Sequence, residues 1–85
     1  MEDFYWYENC PNCNQGRLIV TEDITNNRLY LHCEECEMGW LDPERANEVE
    51  FGFLTLLEEF ETVNPDLATI NRYGWNQYAK NKFTE

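Results

Sequence analysis

Four cysteines, Cys10, Cys13, Cys33 and Cys36, stand in two C-x2-C pairs with nineteen residues between the pairs. Two residues between cysteines let a tight turn aim both sulfurs at one point, while amides of the turn donate to those sulfurs and offset their charge. Two such turns set face to face complete a tetrahedron of thiolates around one metal ion. That shell is closed and leaves no position for water or substrate, so the expected ion is structural. Its contribution goes to folding, on the order of 10–16 kcal/mol in small zinc domains at neutral pH. A redox role for Cys10-Pro11-Asn12-Cys13 alone would need a βαβ setting and would leave the second pair unexplained.

Other reactive groups are scarce. His32 is the only histidine, and in a strand its side chain points away from that of its neighbour Cys33. Adjacent acids such as Glu34 and Glu35 or Glu58 and Glu59 read as a solvated face, and no enzymatic activity is expected. The chain carries 17 acidic and 6 basic residues, a formal net charge of −11. Such a balance opposes binding to nucleic acid or to an anionic membrane and favours a basic protein partner. No stretch is long and apolar enough to cross a bilayer, and no charged, apolar and small-residue leader is visible, so a cytoplasmic protein with reduced cysteines is expected.

The elements that must position the cysteines read as a ribbon. Residues 17–21, Arg-Leu-Ile-Val-Thr, and residues 28–32, Arg-Leu-Tyr-Leu-His, have the β-branched content and the alternation of strands. Asn26-Asn27 between them tolerates a left-handed hairpin turn. Residues 38–41 are expected as a third strand, and the aromatic run Phe4-Tyr5-Trp6-Tyr7 as a short strand or a clip across the molecule. Asp42-Pro43 signals a helix start over about residues 43–48. Residues 49–61 carry both alternating and helical spacing, with Gly52 as a turn before an expected helix. Asn64-Pro65-Asp66 opens a further helix through Leu67, Ile70 and Tyr73 that Gly74 ends. Residues 75–79 read as a last helical turn, and 80–85 as a frayed tail. Trp40 and Trp75 are assigned to the core. The expected fold is thus small α+β: a β-hairpin or three-stranded sheet followed by short C-terminal helices.

Cys10-Pro11-Asn12-Cys13 with Gly16 and Leu18, then Leu31-His32-Cys33-Glu34-Glu35-Cys36 with Trp40, resembles the zinc-ribbon group over about half the chain. The length makes one domain over residues 1–85, in which the resemblance implies a ribbon at 1–42 and the helix signals imply a mainly helical extension at 43–85 packed on it. Acidity and aromatic content are also features of rubredoxins, but rubredoxins place glycine after the second cysteine of each turn. Asn14 and Glu37 stand there, so one structural zinc ion is expected rather than iron. Ribbons that grip nucleic acid show lysine and arginine around the turns, whereas here the second turn carries Glu34, Glu35 and Glu37.

The ribbon followed by an acidic half ending in Tyr73-Gly74-Trp75-Asn76-Gln77-Tyr78 is similar to small immunity proteins encoded beside bacterial toxins. That likeness implies an inhibitor that blocks the active site of a basic, nuclease-type toxin domain. Its contact residues would be Glu34, Glu35, Glu37 and Asp42 near the metal, or Glu58, Glu59 and Glu61 farther on. The alternatives are a zinc-ribbon adaptor or regulator in a larger assembly such as transcription machinery, and a rubredoxin-like iron electron carrier.

Overall fold

The computed structural model describes residues 2–57 and 59–85. Strands β1 (Asp3–Asn9), β2 (Arg17–Asp23), β3 (Arg28–Cys33), β4 (Met38–Trp40), β5 (Phe53–Leu54), β6 (Thr62–Val63) and β7 (Asn81–Thr84) form one sheet. All pairings are antiparallel, in the order β5-β4-β3-β2-β1-β7. β1 and β6 share one edge of β2: β1 pairs as far as Ile19 and β6 takes over at Glu22.

The β2–β3 hairpin is the centre of the molecule, in register from Leu18↔Cys33 to Asp23↔Arg28. Its turn is closed by Asp23, which is fully buried. The carboxylate accepts from the main chain and side chain of Asn26 at 3.1 and 2.8 Å and from Arg28 Nε at 2.8 Å. Asn27 takes the left-handed conformation, φ 55°, that its short polar side chain tolerates.

Alternation along the hairpin makes two unlike faces. Leu18, Val20, Leu29, Leu31, Cys33 and Trp40 point to one side and are buried there with Cys10, Ala46 and Ile70. On the other side Tyr30 packs its ring against His32, Phe53 and Phe60. Across that face the ladder aligns Trp6, Ile19, His32, Gly39 and Phe53 in one row. A side chain at Gly39 would press on the Phe53 ring at about 3.0 Å, so glycine is what lets the fifth strand close over the fourth.

The C-terminal half is where the α+β expectation fails. Among the described residues the molecule is mostly antiparallel sheet with one short helix, α1 (Leu67–Arg72), and isolated 3-10 turns. The helix expected at 43–48 is a 3-10 turn, Pro43–Arg45. Asp42 caps it as expected, accepting from Glu44 N at 3.0 Å. The following amides bond three residues back, and the Glu48 carbonyl is taken by the Trp40 indole at 2.9 Å. The helix expected after Gly52 is replaced by β5 and the 3-10 turn Thr55–Leu57, and a further 3-10 turn, Val49–Phe51, precedes the glycine. Gly52 is extended, and Phe53-Leu54 supplies the partner that the open edge of β4 requires.

α1 itself follows its sequence signals. Asp66 caps it by accepting from Thr69 N at 2.8 Å, and Gly74 at φ 77° ends it while Trp75 N bonds back to Ile70 O. Residues expected as a last helical turn form the 3-10 turn Asn76–Tyr78. The expected tail is instead β7, paired with β1 from Asp3↔Thr84 to Trp6↔Asn81. Phe83 stacks on Phe4 there, ring centroids 5.1 Å apart. The aromatic run Phe4-Tyr5-Trp6-Tyr7 is accordingly an interior strand of the sheet. Trp40 is fully buried, and Trp75 is half-buried against the core.

Candidate metal centre

The two cysteine turns lie at one end of the hairpin. β1 delivers Cys10, whose amide donates to Gly16 O at 2.8 Å and whose carbonyl accepts from Asn14 N at 3.0 Å. β3 delivers Cys33, and Glu34 N donates across to Arg17 O at 3.3 Å, so the second turn is locked to the strand that leaves the first. Pairing of Leu18 with Cys33 then sets the turns opposite each other.

All four Sγ atoms lie within 4.8 Å of one another, with Cys10 to Cys36 and Cys13 to Cys33 each at 3.6 Å. A tetrahedron with metal–sulfur bonds of about 2.3 Å has edges of about 3.75 Å, so the four cysteines are positioned to bind one metal ion. Main-chain amides surround the sulfurs: Asn12 N to Cys10 Sγ, Gly16 N to Cys13 Sγ, and Glu35 N and Cys36 N to Cys33 Sγ, all at 3.4–3.5 Å. The Asn12 side-chain amide donates to Cys36 Sγ at 3.5 Å, so the first turn also supports a sulfur of the second.

These surroundings act unequally on the thiols. Burial pushes Cys33 up to about 12 and raises Cys10 as well. The amides of Gln15 and Gly16 draw Cys13 down to about 7. A divalent cation among the four sulfurs supplies the charge that favours all four thiolates together.

Two details of the turns stand out. Asn14 and Glu37 follow the second cysteine of each pair, and both are left-handed, at φ 58° and 64°. The backbone there has the conformation glycine favours although neither residue is glycine, so the residue types at these positions do not discriminate zinc from iron. Gly16 is required by close approach, because a Cβ on it would stand 2.5 Å from Cys33 Sγ.

The acidic residues singled out by sequence are scattered in role. Glu34 is engaged by Arg17, and Glu37 Oε2 lies 2.7 Å from His32 Nε2. His32 therefore turns away from the sulfurs, as strand geometry requires. Asp42 is a cap. Glu35, Glu59 and Glu61 form no ion pair among the described residues, and Glu58 falls outside them. Nothing in the spacing marked Arg17 or Asn12 as supports of the cysteine turns, since their partners lie 17 and 24 residues away.

Fold and site together define a small antiparallel-sheet protein whose four cysteines are positioned to bind one metal ion. No protein-family model, no curated protein and no solved structure matches the chain. Among the described residues no helix is long and apolar enough to cross a membrane.

Proposed function

We propose that this chain is a zinc-stabilised protein-binding protein that inhibits a basic, nuclease-type toxin domain by covering its cationic cleft. The observation that carries the reading is the distribution of charge: residues 34–61 contain ten of the 17 acidic residues and one of the six basic ones, Arg45. That stretch begins inside the second cysteine turn, so the metal that orders the fold also orders the start of the acidic surface. The four-sulfur site supports a structural zinc, held by Cys10, Cys13, Cys33 and Cys36, with no catalytic role. Free thiolates as ligands fit a reducing compartment.

The test is co-expression with a basic nuclease domain encoded beside this chain. The expected result is a complex that survives purification and a nuclease that no longer cuts. Undiminished cutting at saturating concentrations of this protein would sink the inhibitor reading. The left-handed backbone at Asn14 and Glu37 favours one second reading, a four-sulfur iron centre. Colour and metal analysis separate the two, because an iron protein is red and a zinc protein colourless.

A further inference from the structure

The acidic stretch also carries much of the exposed apolar surface. Val49, Phe51, Leu54 and Leu56 lie within eight consecutive residues, and all four are exposed, Leu56 to 76% and Phe51 to 50%. The edge of the sheet explains why Leu54 is uncovered. β5 is the outermost strand on this side. Phe53 packs on Tyr30 and Gly39, so alternation puts Leu54 on the Trp40 side of the sheet, across from Met38, where the edge leaves it exposed. Gly52 lies so close to Met38 and Trp40 that a Cβ would stand 2.7 Å from one and 2.9 Å from the other. That contact seats the preceding turn on the sheet. Phe51 has one face of its ring 4.7 Å from the Arg45 guanidinium.

The carboxylates around this edge differ from those at the cysteine turn. Glu34 and Glu37 are committed to Arg17 and His32, whereas Glu50, between Val49 and Phe51, and Glu44, five residues before Val49, are exposed and unpaired among the described residues.

We infer that the β5 edge, an apolar ridge of Val49, Phe51, Leu54 and Leu56 with the unpaired Glu50 among them, is the surface that docks the basic protein partner. The inference rests on the protein-binding reading above and moves its contact surface away from Glu34 and Glu37. Charge complementarity selects the occupant. A second copy would set two strongly acidic stretches against each other, and nucleic acid or anionic lipid would be repelled. A protein surface with apolar side chains ringed by lysine and arginine satisfies both components of the ridge.

The experiment uses two synthetic probes of equal positive charge: an amphipathic peptide with lysine and arginine on one flank and leucine and tryptophan on the other, and an oligolysine. Titrations into the metal-loaded full chain are followed by isothermal calorimetry and by amide shifts. The amphipathic peptide is expected to bind about tenfold tighter than oligolysine and to shift residues 49–56. The double variant Leu54→Ser/Leu56→Ser should abolish that preference, while Glu35→Gln, at the cysteine turn, leaves it in place. The replaced leucines are exposed, and metal content with far-ultraviolet dichroism verifies that the variant folds.

Equal affinity for the two probes would overturn the ridge, as would shifts centred on the cysteine turns, although the second result leaves the protein-binding reading standing. Failure of both probes to bind at low salt would count against the ridge and that reading together. Self-association through residues 49–56 in sedimentation, or partition of that edge into phosphatidylcholine vesicles, would assign it a different occupant and overturn the inference.

Discussion

Arg17 and Glu34 form a two-pronged ion pair across the mouth of the hairpin, Nε to Oε2 at 2.6 Å and Nη2 to Oε1 at 3.0 Å. The Arg17 amide adds a third bond to the same carboxylate at 2.9 Å, and the guanidinium lies 3.8 Å from the centre of the Phe83 ring. One arginine thus ties together the second cysteine turn, the strand leaving the first, and the C-terminal strand.

The pair is part-exposed, so its stability contribution is modest. Glu34→Gln is expected to cost about 1 kcal/mol, and Arg17→Ala about 2 kcal/mol because the contact with Phe83 goes too. A double-mutant cycle in urea measures the coupling, and strictly additive losses would show that the two side chains do not act together. The pH dependence has a definite sign. Hydrogen bonds from Arg17 hold the Glu34 carboxyl below the usual value of 4.5, so its stabilisation is complete above that pH and is lost as pH falls through the lower folded value. Asp23 acts in the same direction: burial pushes its carboxyl up, but the bonds from Asn26 and Arg28 outweigh that and leave it lowered.

Gly16 offers a sharper test of the metal site. Its amide donates to Cys13 Sγ, its carbonyl accepts from Cys10 N, and its Cα faces Cys33 Sγ too closely for any Cβ. Gly16→Ala is expected to lower metal affinity on the order of tenfold or more, the scale of losses when groups supporting metal ligands are disturbed. Competition with a chromophoric chelator measures it. Unchanged affinity would mean that the turn relaxes without moving the sulfur.

The sequence already showed the four-cysteine cluster and the hairpin, because both follow from local signals. C-x2-C dictates a turn, and alternation at residues 17–21 and 28–32 dictates strands with one buried face. It also showed a helix opening at Asn64-Pro65-Asp66 and its stop at Gly74, although the cap is Asp66 rather than the residue ahead of the proline. What it hid was long-range pairing. Residues 81–84 are polar apart from Phe83 and read as a tail, yet they pair with β1, whose outer edge would otherwise present unsatisfied main-chain groups. Residues 49–57 had mixed spacing, and the decision went to β5 and short turns because the narrow strand β4 needed an edge partner. At the site, the glutamates of the second turn looked like a free acidic surface. The partners that engage Glu34 and Glu37, Arg17 and His32, are neighbours only after folding.

The C-terminal strand yields a third prediction. Phe83 contacts both the Phe4 ring and the Arg17 guanidinium, and it is half-buried. Phe83→Ala is expected to cost about 1–2 kcal/mol, below the 3–5 kcal/mol of a fully enclosed phenylalanine. Deleting residues 81–85 should cost more, and should raise amide exchange along β1 well before exchange in the β2–β3 hairpin. Unchanged protection of β1 after the deletion would show that β7 adds nothing to the sheet.

Removing the metal is the fourth test, and it bears on the whole molecule. The four cysteines gather at the ends of β1, β3 and the turns beyond them, where one ion would join these segments, while the buried set is small and includes Cys10 and Cys33 themselves. Zinc sites of this type contribute on the order of 10–16 kcal/mol, as much as the entire stability of an ordinary domain. Chelation at neutral pH should therefore abolish cooperative unfolding and expose Trp40, which is fully buried beside the hairpin. A red shift of tryptophan emission and rapid proteolysis between residues 14 and 32 would report this, and readdition of zinc should reverse both. Because thiolates are the ligands, protons compete with the metal, and affinity should fall as pH is lowered. Substituting one ligand, Cys36→Ser, should weaken binding at every pH. A chelated chain that kept its emission spectrum and its cooperative transition would show that the aromatic sheet stands without the metal.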